Sequence, residues 1–198
     1  MKEIFLIRHG ETDWNAAGRL QGREDVPLNS KGEAQAHRLA EALHGLGIER
    51  IVTSYLSRAR RTAEIVAGKL AISDLGVVEG LHERDYGDIS GLTPEERAAR
   101  FPPGTVPANQ ETAAAMKERV MAALHDIATL HAERKIAVVS HGGVINTLLA
   151  NITDGQHGTG KNLLPNCSIT KFRRHGDTWS VQYFGVSADV LATHEPPV

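Results

Sequence analysis

The chain has 198 residues, 41% of them hydrophobic and 23% charged, and a formal net charge of −2 from 22 basic and 24 acidic side chains. That length suits one domain over 1–198 with a full core, and the near-balanced charge excludes the broad basic field that nucleic-acid binding needs. No apolar span reaches membrane length, the apolar stretch after Met1-Lys2-Glu3 is too short for a signal peptide, and the single Cys167 excludes an internal disulfide or thiolate cluster, so a cytoplasmic protein with no nucleic-acid and no membrane partner is expected.

The run Ile4-Phe5-Leu6-Ile7 predicts a short buried strand that ends at Arg8-His9-Gly10. Residues 10–29, rich in Gly, Asn and Asp and without periodicity, read as one long loop, and loops of that length in compact domains usually carry function. Ser30 with Glu33 predicts a capping box for a helix bearing Leu39, Leu43 and Leu46, ending near Gly45 or Gly47. Ile51-Val52-Thr53 is the next strand, followed by a helix with Ala59, Ala63, Ile65, Val66 and Leu70 and by a strand around Leu75 to Leu81. Thr93-Pro94-Glu95-Glu96 starts a short helix that Phe101-Pro102-Pro103-Gly104 ends. A longer helix is expected from about Glu111 to His131, with Met116, Val120, Leu124 and Ile127 at helical spacing. Ile136 to Val139 repeats the first strand's plan, ending in Ser140-His141-Gly142-Gly143 before a helix at Val144-Ile145. Ser168 to Arg173 and Trp179 to Phe184 close the set as strands joined by a turn at His175-Gly176-Asp177. The βαβ alternation predicts a three-layer αβα sandwich with a mostly parallel central sheet and an antiparallel edge near Ile169 and Val181, an edge that could pair across a homodimer.

Arg8 and His9 stand at a strand's carboxyl end, where open α/β sheets bind ligands, and they suit phosphate: guanidinium offers paired donors and a neutral imidazole can act as nucleophile. His141 ends a second such strand, with Gly142 and Gly143 offering unobstructed N–H groups at the positive end of the following helix. Arg58 belongs to the first turn of its helix and is the candidate phosphate ligand there, whereas Arg60 and Arg61 point elsewhere, solvated or ion-paired. Glu83 follows the third strand as a candidate general acid, the bland alternative being a salt bridge to Arg84. His9, His82, His141 and Glu83 lack the short helical pairing of metal ligands, and Arg8 and Arg58 repel a cation, so no metal is expected. Cys167 reads as a small packed residue. His37, His44, His125, His131, His157, His175 and His194 read as surface or structural residues.

Five segments, LIRHGETDWN, GRLQGREDVPLNSKGEAQA, SYLSRARRTAE, LHERDYGDISG and VVSHGGVI, together resemble the histidine phosphatase superfamily, in the branch that holds cofactor-dependent phosphoglycerate mutase and its phosphatase relatives. The resemblance covers nearly the whole chain and implies a phosphoglycerate mutase-like fold. It implies that His9 is the phosphorylated nucleophile, that Arg8, Arg58 and His141 hold phosphoryl oxygens, and that Glu83 gives a proton to the leaving group. Asn15, Gln21 and Gly22 fall where the family's first loop meets phosphate or substrate, Tyr86 matches a substrate-contacting tyrosine, and Gly142 matches a position whose backbone N–H helps bind phosphate. The chemistry is consistent: two guanidiniums and a protonated second imidazole can stabilise the charge of a phosphoryl group in flight without a metal ion. His9 should attack with one ring nitrogen while the other donates to a backbone carbonyl, Gly10 or a loop neighbour.

Mutase and phosphatase differ in what takes the phosphoryl group from His9. A mutase excludes water and needs cations for the substrate's other anionic groups. The lysine that the mutase branch places three residues after Gly91 is Pro94 here, and the 101–110 segment FPPGTVPANQ has no cation. The family's Gly-Glu-Ser motif reads Gln110-Glu111-Thr112, which leaves Thr112 without an assigned role. The expectation is therefore a metal-independent, cofactor-free phosphatase of a small phosphorylated metabolite, the alternative being a mutase using 2,3-bisphosphoglycerate. A binding module without turnover is disfavoured because His9 and Glu83 are both present. Leu81, Tyr86, Ile89, Phe101 and the 152–165 loop are expected on the leaving-group side.

Overall fold

The computed structural model describes residues 1–105 and 107–191. In chain order its elements are β1 (Lys2–Arg8), α1 (Asp13–Ala16), α2 (Ser30–Leu43), β2 (Arg50–Thr53), α3 (Ser57–Leu70), β3 (Leu75–Val77), α4 (Pro94–Arg100), α5 (Ala113–Leu130), β4 (Lys135–Ser140), α6 (Gly142–Ile152), β5 (Ile169–His175), β6 (Thr178–Val186) and α7 (Ala188–Leu191). Strand alternation sets the layering: Ile4 and Leu6 of β1 face one side, Phe5 and Ile7 the other, and all four are buried. A strand apolar on both faces belongs inside a sheet covered on both sides. Met116, Val120, Leu124 and Ile127 of α5 and Val144 and Leu148 of α6 cover the first side, against Ile136 and Val138. Leu39 and Leu43 of α2, Ala59, Ala63 and Val66 of α3, and Cys167 cover the second, against Ile51, Ala137 and Val139.

The six strands run in the order β3-β2-β4-β1-β5-β6. The first four are parallel, while β5 is antiparallel to β1 and β6 to β5, so the sheet is mixed with the expected antiparallel edge. No helix among the described residues is long and apolar enough to cross a membrane.

Local structure departs from the sequence reading in several places. The 10–29 loop contains α1, which Thr12 caps in a reciprocal box with Asn15. The cap of α2 is Asn29, whose side chain accepts from the Gly32 N–H; Glu33 therefore lies one residue too far along to close a box, and it pairs with Arg61 instead. The third strand stops at Val77, and residues Glu79–Leu81 form a 3₁₀ turn that drives Leu81 into the core. Thr112 takes a structural role as the cap of α5. His194 lies outside the described residues.

Candidate active site

β1 and β4 are parallel neighbours in a register that pairs Ile7 with Val139 and Arg8 with Ser140. Both chains therefore leave the sheet together, the His9 N–H donating to the Ser140 carbonyl at 3.0 Å, and the rings of His9 and His141 stand 5.2 Å apart. Hydrogen bonding settles the form of His9. Its Nδ1 lies 2.7 Å from the Gly10 carbonyl, which can only accept, so the proton is on Nδ1 and the Nε2 lone pair is available. Burial, then the positive charges of Arg58 and Arg8, hold His9 well below the usual imidazole range and keep it neutral.

Arg58 is fully buried in the first turn of α3. Its Nε donates to His9 Nε2 at 3.2 Å, and its other nitrogens to the carbonyls of Glu24 at 2.7 Å and Gly22 at 2.9 Å. Burial pushes this guanidinium down to about 10, which leaves it charged at neutral pH. Arg60 and Arg61 instead form exposed pairs with Glu64 and Glu33. Arg8 Nη1 donates to the Leu164 carbonyl at 2.5 Å, while its buried Nε has no partner among the described residues.

Glu83 is held by backbone rather than by a salt bridge. Oε1 accepts from the Arg84 N–H at 2.8 Å and Oε2 from the Gly143 N–H at 2.9 Å, while the Arg84 guanidinium turns to the Glu111 carbonyl. His141 Nε2 lies 2.9 Å from Ser54 Oγ, and its buried Nδ1 has no partner. Burial, then Arg58 and His9, hold His141 well below the usual imidazole range. The protonated form expected from sequence is thus disfavoured until a phosphoryl anion brings compensating charge.

Arg8, His9, Arg58 and Glu83 line one cleft of about 450 Å³ together with Asn15, Gln21, Tyr86 and Gly142, whereas His141 is fully buried beside His9 and is not among the lining residues. Gly22 serves differently, accepting from Arg58 through its carbonyl; a Cβ there would stand 2.9 Å from the Arg84 carbonyl oxygen. Burial drives the Tyr86 phenol above its ordinary range, so it stays a neutral donor. Of the residues expected on the leaving-group side, Leu81 and Ile89 are buried and do not line the cleft, nor does Phe101, whereas Tyr86 and the end of the 152–165 loop, with Leu163, Leu164 and Pro165 as apolar border, do.

Sequence reading missed Ser54, Thr62, Asn146, Asn166 and Arg19, whereas Asn162 lies in the 152–165 loop expected at the cleft. Thr62 accepts from the Gly10 N–H at 3.0 Å, and its position one helical turn after Arg58 was a usable signal. Arg19 lines both the cleft and an adjoining groove of about 360 Å³ that also holds Arg97. Arg19 pairs with Glu96 at 2.8 Å, whereas Arg97 has no ion pair among the described residues. The groove thus draws cations from outside the 101–110 segment.

The family model described as the histidine phosphatase superfamily (branch 1) matches residues 4–187. An uncharacterized phosphatase named PhoE from Bacillus subtilis (strain 168) is 35% identical over 188 residues, covering 95% of this chain and 96% of the relative. A probable phosphoglycerate mutase, GpmB, from Klebsiella pneumoniae (strain 342) is 36% identical over 196 residues, covering 90% and 88%. Among solved structures, a mycobacterial glucosyl-3-phosphoglycerate phosphatase complexed with VO3 superposes with a TM-score of 0.83 at 27% identity, covering 94% of this chain and 100% of the other.

Proposed function

This chain belongs to branch 1 of the histidine phosphatase superfamily, and from that premise we propose that it is a phosphatase of small phosphate monoesters, working through a phosphohistidine on Nε2 of His9. One observation carries the reading: the Gly10 carbonyl locks the proton on Nδ1, so Nε2 meets the cleft as an unprotonated lone pair, held by the Arg58 Nε–H until a phosphoryl group replaces it, with the Arg8 guanidinium lining the same cleft. In the first step Nε2 bonds to phosphorus, the ester P–O bond breaks, and the Glu83 carboxyl donates its proton to the departing alkoxide oxygen. Arg58 exchanges its Nε bond from His9 to a phosphoryl oxygen, and Arg8 and His141 take others, balancing charge on the equatorial oxygens. In the second step the Glu83 carboxylate removes a proton from water, which attacks phosphorus and releases phosphate from Nε2.

Pro94 and the cation-free 101–110 segment support water as the acceptor, and the phosphatase names of PhoE and the mycobacterial structure agree with it. The Arg19–Arg97 groove favours the second reading, a mutase that must grip a further anionic group. The test is incubation with p-nitrophenyl phosphate, with and without chelator, followed by trapping. Acid-labile, base-stable phosphate on His9 with chelator-insensitive release is expected, and an unchanged rate in His9→Ala overturns the mechanism. Faster 2-phosphoglycerate formation than phosphate release, from 3-phosphoglycerate plus 2,3-bisphosphoglycerate, overturns the choice of phosphatase.

A further inference from the structure

We propose that Asn166 is a positioning residue that fixes which end of the Asn15 amide meets the ligand; this rests on reading the cleft as a phosphoryl-transfer site. Asn166 follows Pro165 in the turn that leads into β5, and β5 returns antiparallel beside β1. Its Nδ2 lies 3.0 Å from the His9 carbonyl and 3.1 Å from Asn15 Oδ1.

Chemistry assigns both amides. A backbone carbonyl only accepts, so the end of Asn166 against His9 is its NH2 group. That NH2 can meet only an acceptor on Asn15, so Oδ1 of Asn15 faces it, and the Thr12 N–H donates to the same oxygen at 3.3 Å. The Nδ2 of Asn15 is thereby turned away from both. It has no partner among the described residues, and Asn15 lines both the cleft and the groove. Asn166 thus presents Asn15 as a donor to an anion, at no reorganisation cost when the ligand arrives.

The turn around Asn166 supports the role. The Leu164 carbonyl holds Arg8 Nη1, and the Cys167 N–H donates to the carbonyls of Arg8 at 2.9 Å and His9 at 3.3 Å. Cys167 does so with a left-handed φ of 57°, uncommon for a side chain with a Cβ, and its thiol, pushed up to about 12 by burial, is inert. Within this turn Asn166 makes the side-chain link between the nucleophile's backbone and Asn15.

The experiment measures inorganic phosphate binding by calorimetry and p-nitrophenyl phosphate turnover in Asn166→Ala, Asn166→Asp, Asn15→Ala and the Asn15→Ala/Asn166→Ala double variant, each checked for an unchanged thermal transition. Asn166→Ala should weaken phosphate binding about tenfold and raise KM more than it lowers kcat. The isosteric Asn166→Asp should lose more, because a carboxylate oxygen then opposes the His9 carbonyl. The double variant should match Asn15→Ala within about threefold, since an effect that runs through Asn15 disappears with it. Phosphate binding within twofold of the parent in Asn166→Ala, or full additivity in the double variant, overturns the proposal. The binding arm keeps the two readings apart: a parent that binds phosphate but forms no phosphohistidine refutes the proposed function and still tests Asn166.

Discussion

Gly143→Ala isolates the placement of Glu83 from stability. Gly143 is in the first turn of α6, its N–H holds Glu83 Oε2, and an added Cβ would stand 2.3 Å from Oε1 and 3.1 Å from Cδ. Real Cβ contacts below 3.0 Å are essentially never seen, so the carboxylate must retreat by at least the 0.7 Å between 2.3 and 3.0 Å. Misplacement on the order of 1 Å costs up to about 100-fold in rate, which is about 2.7 kcal/mol of barrier. The helix does not suffer: Gly143 has ordinary helical backbone, where alanine is favoured by up to about 1 kcal/mol. The expected phenotype is a thermal transition equal to or above the parent's with kcat on alkyl phosphates down by about 100-fold. On p-nitrophenyl phosphate, whose leaving group needs less protonation, the loss should be smaller. Steady-state kinetics on both esters with calorimetric melting checks this, and an alkyl-phosphate kcat within threefold of the parent would refute the argument.

Arg58→Lys should destabilise by about 2 kcal/mol or more in urea unfolding, because an ammonium cannot span the carbonyls of Gly22 and Glu24 and leaves a buried acceptor unpaired; an unchanged midpoint contradicts this. His9 and His141 are both held below their ordinary range when folded, so the unfolded chain binds more protons and stability falls as pH drops below about 6.5. For the same reason the acid limb of kcat/KM should lie below pH 6.5, and an inflection at or above that value in the pH–rate profile contradicts a neutral His9. Arg97→Ala should leave p-nitrophenyl phosphate kinetics within about twofold while raising KM for 3-phosphoglycerate by about 2–5-fold, the difference shrinking with added salt; equal effects on both esters remove the groove from substrate recognition.

Much of the site was legible because its parts are local. A strand followed by Arg-His, a strand followed by His-Gly-Gly and an arginine in a helix's first turn each announce themselves within a few residues. Arg8, His9, Arg58 and Glu83 line one cleft, and the buried His141 ring stands 5.2 Å from that of His9. Patterning also distinguished Arg58 from Arg60 and Arg61, because one turn of helix separates their faces. Local reading failed where competing short-range options were nearly equal. Asn29 and Ser30 are both good helix caps one residue apart, and the apolar run to Leu81 could continue as strand or turn inward.

The amino-acid sequence by itself determined the layers and which candidate groups end their strands, since alternation in β1 and β4 and the periodicity of α5 and α6 are intrinsic to the chain. Tertiary structure decided who holds whom. The parallel register of Arg8 with Ser140 brings His9 to His141, the Gly143 N–H orients Glu83, and the return of β5 beside β1 brings Asn166 to His9 and Asn15. Such contacts join residues far apart in the chain, and hydrogen bonds of about 3 Å between them depend on strand order and register, which no window of neighbouring residues encodes.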